Sequence, residues 1–297
     1  MNKVLVIIVS YRFEKWMDRT LESLRQSELP VDIVVVDNHS DDHTTEIIRQ
    51  SYPEVKLIEC NTNLGFGKAN NIGMKIAIEQ KYDAIFLLNQ DAWVEPKTIG
   101  TLYDISQKNK KYGILSPVHL TGNGENIDKG FADYAKINER NELPKDQEIV
   151  PIEFVNAALW MIPTRIIREM GGFSPLFFLY GEDKDFVNRL RFHGYRIGYV
   201  PDTFGYHDRD MRKMTRSDFI RSEYVYHLSE YTNINYNFAK AFGLGILAII
   251  KKAFQSLKNI KTFFMYIKLA FRLLLQTHNV INTRKKAKQN KPNFIVL

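Results

Sequence analysis

Four short apolar runs early in the chain constrain its fold more than any other feature. They are KVLVIIV (3–9), DIVVVDN (32–38), VKLIE (55–59) and AIFLLN (84–89). The β-branched runs that lack polar alternation predict strands buried on both faces. Helical spacing fills the gaps: Trp16, Leu21 and Leu24 within 14–27, then DDHTTEIIRQSY with acids in its first turn and Pro53 after its end, then KANNIGMKIAIEQ. Strand–helix repeats with short connections predict an α/β fold, a mostly parallel sheet with helices on both faces. Ligands of such sheets bind at the carboxyl ends of the strands. The unexpected polar residues fall there: Ser10 and Tyr11, Asp37 and Asn38, Asn61, and Asn89 with Asp91. Asp91 is the oddest, because a carboxylate at the end of an interior strand is costly unless it is paired or holds a cation.

Beyond the fourth run, residues 116–150 are polar and irregular and read as a loop-rich insertion. Order resumes with IEFVNAALWMIP as a strand, TRIIREMGGF as a short helix stopped by Gly171 and Gly172, EDKDFVNRLRFHG as a helix and YRIGYVP as a strand. With 44% hydrophobic residues the chain can build a substantial core. A single cysteine, Cys60, excludes an internal disulfide framework and fits a reducing compartment. The opening MNKVLVIIVSYRF lacks a small-residue cleavage site and is expected to be the first strand, not a targeting segment. No uncharged apolar run approaches the roughly 18 residues of a spanning helix.

The net charge of +7 conceals an asymmetry. Residues 231–297 hold 12 Lys and Arg and no Asp or Glu, while residues 1–230 set 29 basic against 34 acidic residues, a net −5. Such a block predicts an anionic partner for the tail. Apolar positions at Ile246, Ile250, Ala253, Leu257, Ile260, Phe264, Ile267, Phe271 and Leu274 step by four and three, as on one helical face. Lys251, Lys252 and Lys258 fall on the other side. The aromatic residues follow the apolar stripe and not the basic positions, which favours a membrane surface over nucleic acid. Packing of that face on the body or on a partner chain is the alternative. TRKKAKQNK is expected to be disordered.

Three stretches can carry chemistry. NLGFGKANNIG has Asn where a dinucleotide fingerprint needs its third glycine, follows the third strand and not the first, and has no G-K-[ST]. Its glycines therefore serve close helix packing or the approach of backbone to a nucleotide. Asp37 is either a turn aspartate or a carboxylate that accepts hydrogen bonds from a base or ribose; His39 and His43 beside it read as solvated. Glu182, Asp183 and Asp185 suit a first helical turn electrostatically, but next to the aromatic loop FSPLFFLYG they would also raise one another's pKa, which is how a general base is tuned. His207, alone in a polar stretch, is more often structural than a ligand.

In order, VIIVSYR, VVVDNHSDD, NTNLGFGKANNIGM, FLLNQDAWVEP, VNAALWMI, GGFSPLFFLYGEDKDFVNRLRFHGY and His207 resemble the family 2 glycosyltransferases, inverting enzymes of the GT-A fold, and within them the rhamnosyltransferase-like group. The resemblance spans about residues 3–210. It implies that Ser10, Tyr11, Asp37 and Asn38 surround the base and ribose of a nucleotide sugar, with Asn89 at the same strand ends, and that Asn63, Gly65, Asn70 and Asn71 shape the pocket wall. It also implies that Asp91 is the metal-binding acid of a degenerate D-x-D motif, with His207 near the metal, a divalent Mg²⁺ or Mn²⁺. Asp183 would be the catalytic base and Glu182 would orient the acceptor. Arg12 stands where the family usually has Asn, and Gln90 where relatives often have Pro.

The expectation is a GT-A domain over 1–230 and a basic helical extension over 231–297. The activity expected is transfer from a UDP- or dTDP-sugar to a glycan or lipid-linked hydroxyl, in the cytoplasm and peripheral on the inner face of the membrane. A nucleotidyltransferase would share the sheet but usually carries a basic glycine-rich loop after its first strand, and SYRFEKWMDR has no glycine. A non-catalytic nucleotide-sugar-binding protein would have no need of Asp91 and Asp183.

Overall fold

The computed structural model describes residues 4–209 and 215–295. Nine strands form one sheet: β1 (Val4–Ser10), β2 (Asp32–Asp37), β3 (Lys56–Glu59), β4 (Ala84–Asn89), β5 (Ala92–Val94), β6 (Tyr112–Thr121), β7 (Val150–Pro151), β8 (Leu159–Pro163) and β9 (Arg196–His207). Their order is β3-β2-β1-β4-β8-β6-β9-β5, with β7 also on β9. The first four strands in that order are parallel, β8 runs antiparallel to both its neighbours, and β6 and β9 are parallel.

The side-chain alternation of β1 explains why its sequence has no polar alternation. Leu5 and Ile7 enter one core with Val34, Val36, Ile85 and Leu87, which helix Phe66–Glu79 covers. Val4, Val6 and Ile8 enter the other with Val35, Phe86 and Leu88, under helices Met17–Arg25 and Thr98–Lys108. Both faces are dry, so every position is apolar until the strand ends.

Two expectations need correction. Residues 116–121 are not loop but the second half of β6, buried from Gly113 to Leu120. Pro117 hid the strand: the ladder to β9 shifts register at Pro117/Val118, and such an irregularity accommodates a proline in a sheet. Nor is TRKKA disordered, because Thr277–Ala287 is a helix. Arg284, buried there, donates to the carbonyls of Tyr231, Asn233 and Tyr236 and so satisfies backbone left open where helix Arg216–Thr232 ends.

The chain then returns to the sheet domain. Asn293 O accepts from Gly172 N at 2.9 Å, Asn71 Nδ2 donates to Phe294 O at 3.1 Å, and Ile295 joins the first core. Gly171, at φ +83°, leaves no room for more: an added Cβ would lie 1.9 Å from Asn293 O. Gly171→Ala combines backbone strain with a clash against a carbonyl, each costing about 1–3 kcal/mol. A marked drop in melting temperature is expected by thermal denaturation, whereas Gly194→Ala, equally left-handed but in open space, should show only the strain.

Candidate active site

The carboxyl ends of β1, β2 and β4 lie side by side at one edge of the sheet. Asp37, the last residue of β2, is buried, and its Oδ1 accepts from Ser10 Oγ at 2.9 Å and Ser40 Oγ at 2.5 Å. Its Oδ2 accepts from Ser40 N at 2.9 Å. Asn38 fastens the next loop: its Oδ1 accepts from Leu64 N at 2.7 Å and its Nδ2 donates to Gly65 O at 3.3 Å. Asn63 Oδ1 accepts from Gly65 N at 2.9 Å. Gly65 has φ +77°, and a Cβ there would meet Phe178 O at 2.0 Å. The glycine thus lets two loops touch, one from each side of the cleft. Asn70 donates to Phe66 O within its own helix. Asn71 exchanges hydrogen bonds with the Phe173 backbone, at 2.9 Å and 2.7 Å, and ties helix Phe66–Glu79 to the loop after Gly172.

Arg12 has φ +56°, a left-handed backbone that Asn adopts more readily than most residues. Here Arg12 turns outward to Asp41, 2.6 Å away, and the exposed pair lowers the Asp41 pKa. Tyr11 is bound through its backbone to the Gln90 side chain at 2.7 Å and 3.1 Å. That pair bridges the ends of β1 and β4, so Gln90 has a positioning role here.

Asp91 lies with Gln90 in the turn between β4 and β5. Its Oδ1 lies 3.3 Å from His207 Nε2, and Asn89 Nδ2 lies 3.5 Å from the same nitrogen. The β5–β9 ladder sets Ala92 opposite His207, which makes this meeting a matter of register. His207 Nδ1 in turn accepts from Arg209 Nε at 3.1 Å, and Arg209 Nε lies 3.4 Å from Asp128 Oδ2.

Helix Glu182–Phe192 supplies the acids on the other wall. Gly181, left-handed at φ +86°, starts it. The three acids diverge by helical periodicity. Asp185 faces the interior and pairs with buried Arg189 at 2.8 Å. Glu182 is buried with an unpartnered Oε2, and burial first and the Asp183 charge second push its pKa up to about 7. Asp183, half-buried, is also raised by burial, against hydrogen bonds from the backbone of Lys184, Asp183 and Ala157. The mutual tuning expected of three acids is therefore mainly desolvation, and Asp185 is an ion-pair partner.

Sequence reasoning passed over Arg209, Asp128 and Tyr134, the last raised in pKa first by burial and then by the charge of Asp183. Asp128 and Tyr134 lie in the segment read as insertion; the D-x-x-F pattern of Asp128 and Phe131, an N-cap 3.0 Å from its amide, was the available signal.

The family model described as "Glycosyl transferase family 2" matches residues 5–162. Curated relatives include the "Low-salt glycan biosynthesis hexosyltransferase Agl10" of Haloferax volcanii, 25% identical over 67% of this chain and 64% of that protein. Another is the "N-acetylglucosaminyl-diphospho-decaprenol L-rhamnosyltransferase" of Mycobacterium tuberculosis, 26% identical over 66% of this chain and 73% of that one. Among solved structures, S. aureus TarS 1–349 in complex with UDP is similar over 96% of this chain and 88% of its own, with TM-score 0.56 and 16% identity, a likeness of fold.

Glu182 gives a pH test. Its native pKa lies above that of an unfolded glutamate, so the native state holds the extra proton between about pH 4.5 and 7, and stability falls as pH rises through that window. Glu182→Gln removes this loss. The variant should gain on the wild type by up to about 3 kcal/mol between pH 5 and pH 8, measured by urea denaturation at both pH values.

Proposed function

The chain belongs to glycosyl transferase family 2, and we propose that it is an inverting enzyme that moves a sugar from a nucleoside-diphosphate sugar to a hydroxyl of a glycan or lipid-linked acceptor in cell-surface polysaccharide synthesis. The observation that supports this reading is that Asp37 and Asp91 stand at the carboxyl ends of β2 and β4, two strands that flank β1, while Glu182 beside Asp183 packs near Gly67 of the helix that follows β3. The relatives named for rhamnosyl and hexosyl transfer, and the UDP held by TarS, support a uridine or thymidine diphosphate sugar as donor. The catalytic part is taken as 1–230 and the extension as 231–297.

In this reading Ser10, Tyr11, Asp37 and Asn38 hold the nucleoside, while Asn63, Gly65, Asn70 and Asn71 build the wall behind it and Asn89 lies beside the metal residues. Asp91 has a partly exposed carboxylate at the end of a rigid strand, which suits a hard divalent cation that takes its other ligands from phosphate and water. Asp91, with His207, would hold Mg²⁺ or Mn²⁺, which supplies charge stabilisation for the departing diphosphate. Asp183 takes the proton from the acceptor hydroxyl, whose oxygen attacks the anomeric carbon from the face opposite the nucleotide. Buried Glu182 orients that hydroxyl.

Asp183→Asn should lose turnover by at least about 10²-fold, the low end for a general base, while still binding donor. Asp91→Ala should abolish turnover. Both are read as nucleoside diphosphate release from a panel of UDP- and dTDP-sugars with Mn²⁺. Full activity in either variant rejects the role assigned to that residue.

We also infer that the extension seats the enzyme on an anionic membrane surface. The apolar stripe expected of one helix is split: Ser256–Asn259 breaks it between helices Ala248–Gln255 and Ile260–Leu275, and Asn259 caps the second. Ile246 and Ala253 are buried, whereas Leu257, Ile260, Phe264, Phe271 and Leu274 are exposed. The second helix buries Tyr266, Leu269, Ala270 and Leu273 instead. Phe264 and Phe271, about 60% exposed, share the surface with exposed Lys258, Lys261 and Lys268. No helix among the described residues is long and apolar enough to cross a membrane, so the face would lie in the interface, each lysine adding about 1 kcal/mol. Phe264→Ser with Phe271→Ser should stop flotation with anionic vesicles without lowering the melting temperature. Unchanged flotation would reject this face as the anchor.

A further inference from the structure

A buried imidazole with an unused lone pair lies behind Asp91. His119, on β6, is fully buried and stacked on Phe131. Its Nε2 is 2.8 Å from Ser116 Oγ, and that hydroxyl gives its own proton to the Pro117 carbonyl 3.0 Å away. Ser116 Oγ is therefore the acceptor, Nε2 carries the ring proton, and Nδ1 keeps its lone pair. Nδ1 is buried and has no hydrogen-bond partner. A polar atom left in that state is costly unless something uses it.

Two further electron-pair donors converge on the same place. The hairpin after β6 brings Asp128 back, its N–H donating to His119 O at 2.8 Å. Asp128 Oδ1 is taken by Phe131 N, which leaves Oδ2. His207 arrives on β9, the parallel neighbour of β6. Its two nitrogens point opposite ways: Nε2 to Asp91, Nδ1 toward Arg209 and Asp128. One ligand atom from each of His119, Asp128 and His207 lies within 4.8 Å of the other two, and all three residues are buried. Into this group comes the positive charge of the Arg209 guanidinium.

We propose that His119, Asp128 and His207 form a second cation site, for a transition-metal ion such as Zn²⁺, with Arg209 as the charge that fills it when the metal is absent. Two imidazoles and one carboxylate suit Zn²⁺ or Co²⁺ better than Mg²⁺, and Ser116 fixes the His119 tautomer as the outer partner of a metal-bound histidine does. Bonds of about 2.0–2.2 Å let three ligand atoms around one ion stand at most about 3.8 Å from one another. The three, now within 4.8 Å, must draw in by about an ångström, and Arg209 must swing away. Arg209, 39% exposed, borders a cavity of about 630 Å³ that also reaches Asp128 and His207 and gives an ion its path. The site uses the nitrogen of His207 that faces away from Asp91; a neutral imidazole ligates through one nitrogen, so His207 then donates Nε2–H to Asp91 and leaves the cation there to Asp91.

The test is Co²⁺ titration of the full chain, followed by its visible d–d absorption, with Zn²⁺ as competitor. Wild type is expected to take up one Co²⁺ that Zn²⁺ displaces. His119→Leu and Asp128→Asn should each weaken binding more than tenfold, and Asp128→Asn keeps an oxygen to cap the helix if His119→Leu fails to fold. Arg209→Met should tighten binding, and Asp91→Asn should leave it unchanged. No uptake by wild type, undiminished uptake by Asp128→Asn, or loss of uptake in Asp91→Asn would each overturn the site. The last outcome would assign the ion to Asp91 and leave the proposed transferase reading intact.

Discussion

The Arg189 guanidinium is the interaction on which the rest of the catalytic wall depends. It is almost wholly buried, paired with Asp185 at 2.8 Å, and donates to the carbonyls of Met170 and Gly172 at 3.1 Å and 2.6 Å. Its plane also lies 5.1 Å from the Phe186 ring and 5.2 Å from that of Phe294. One side chain therefore holds the helix with Glu182 and Asp183, the loop before it and the returning end of the chain. Removing one partner of such a buried pair costs about 3–5 kcal/mol, because the other charge stays behind unpaired. The orientation of Glu182 and Asp183 is set by a charge buried one helical turn or more beyond them.

Two other devices hold the opposite wall. Gly65 and Phe178 touch backbone to backbone, with Phe66 N donating to Phe178 O at 3.2 Å. Gln90 closes the ends of β1 and β4. The cleft is thus bounded by parts in direct contact, which limits how far its two sides can move apart without breaking backbone hydrogen bonds.

The parallel half of the sheet was legible because a strand buried on both faces leaves a continuous apolar run, and the polar residues that break it, Ser10, Asp37 and Asp91, stand where the strands end. The mixed half was harder. Pro117 and the polar residues around β6 broke its run, and its pairing to β9 is a long-range fact that no local pattern contains. The acids at 182–185 were legible as a group but not as individuals: whether Asp185 faces Arg189 or solvent depends on a guanidinium one helical turn on. The same holds for the extension, whose stripe was legible, while the break at Ser256–Asn259 decided which half of it points inward.

The return of Asn293, Phe294 and Ile295 to the Gly171–Gly172 loop has a consequence for synthesis. Parallel strands and helices of the first half can pair as they leave the ribosome, since their contacts lie close in sequence. The loop that leads into the catalytic helix cannot. Its hydrogen-bond partner and part of its core lie far on in the sequence, at Asn293 and Ile295, so this wall is completed only after those residues have left the ribosome. Until then Arg189 lacks the Phe294 ring that covers it.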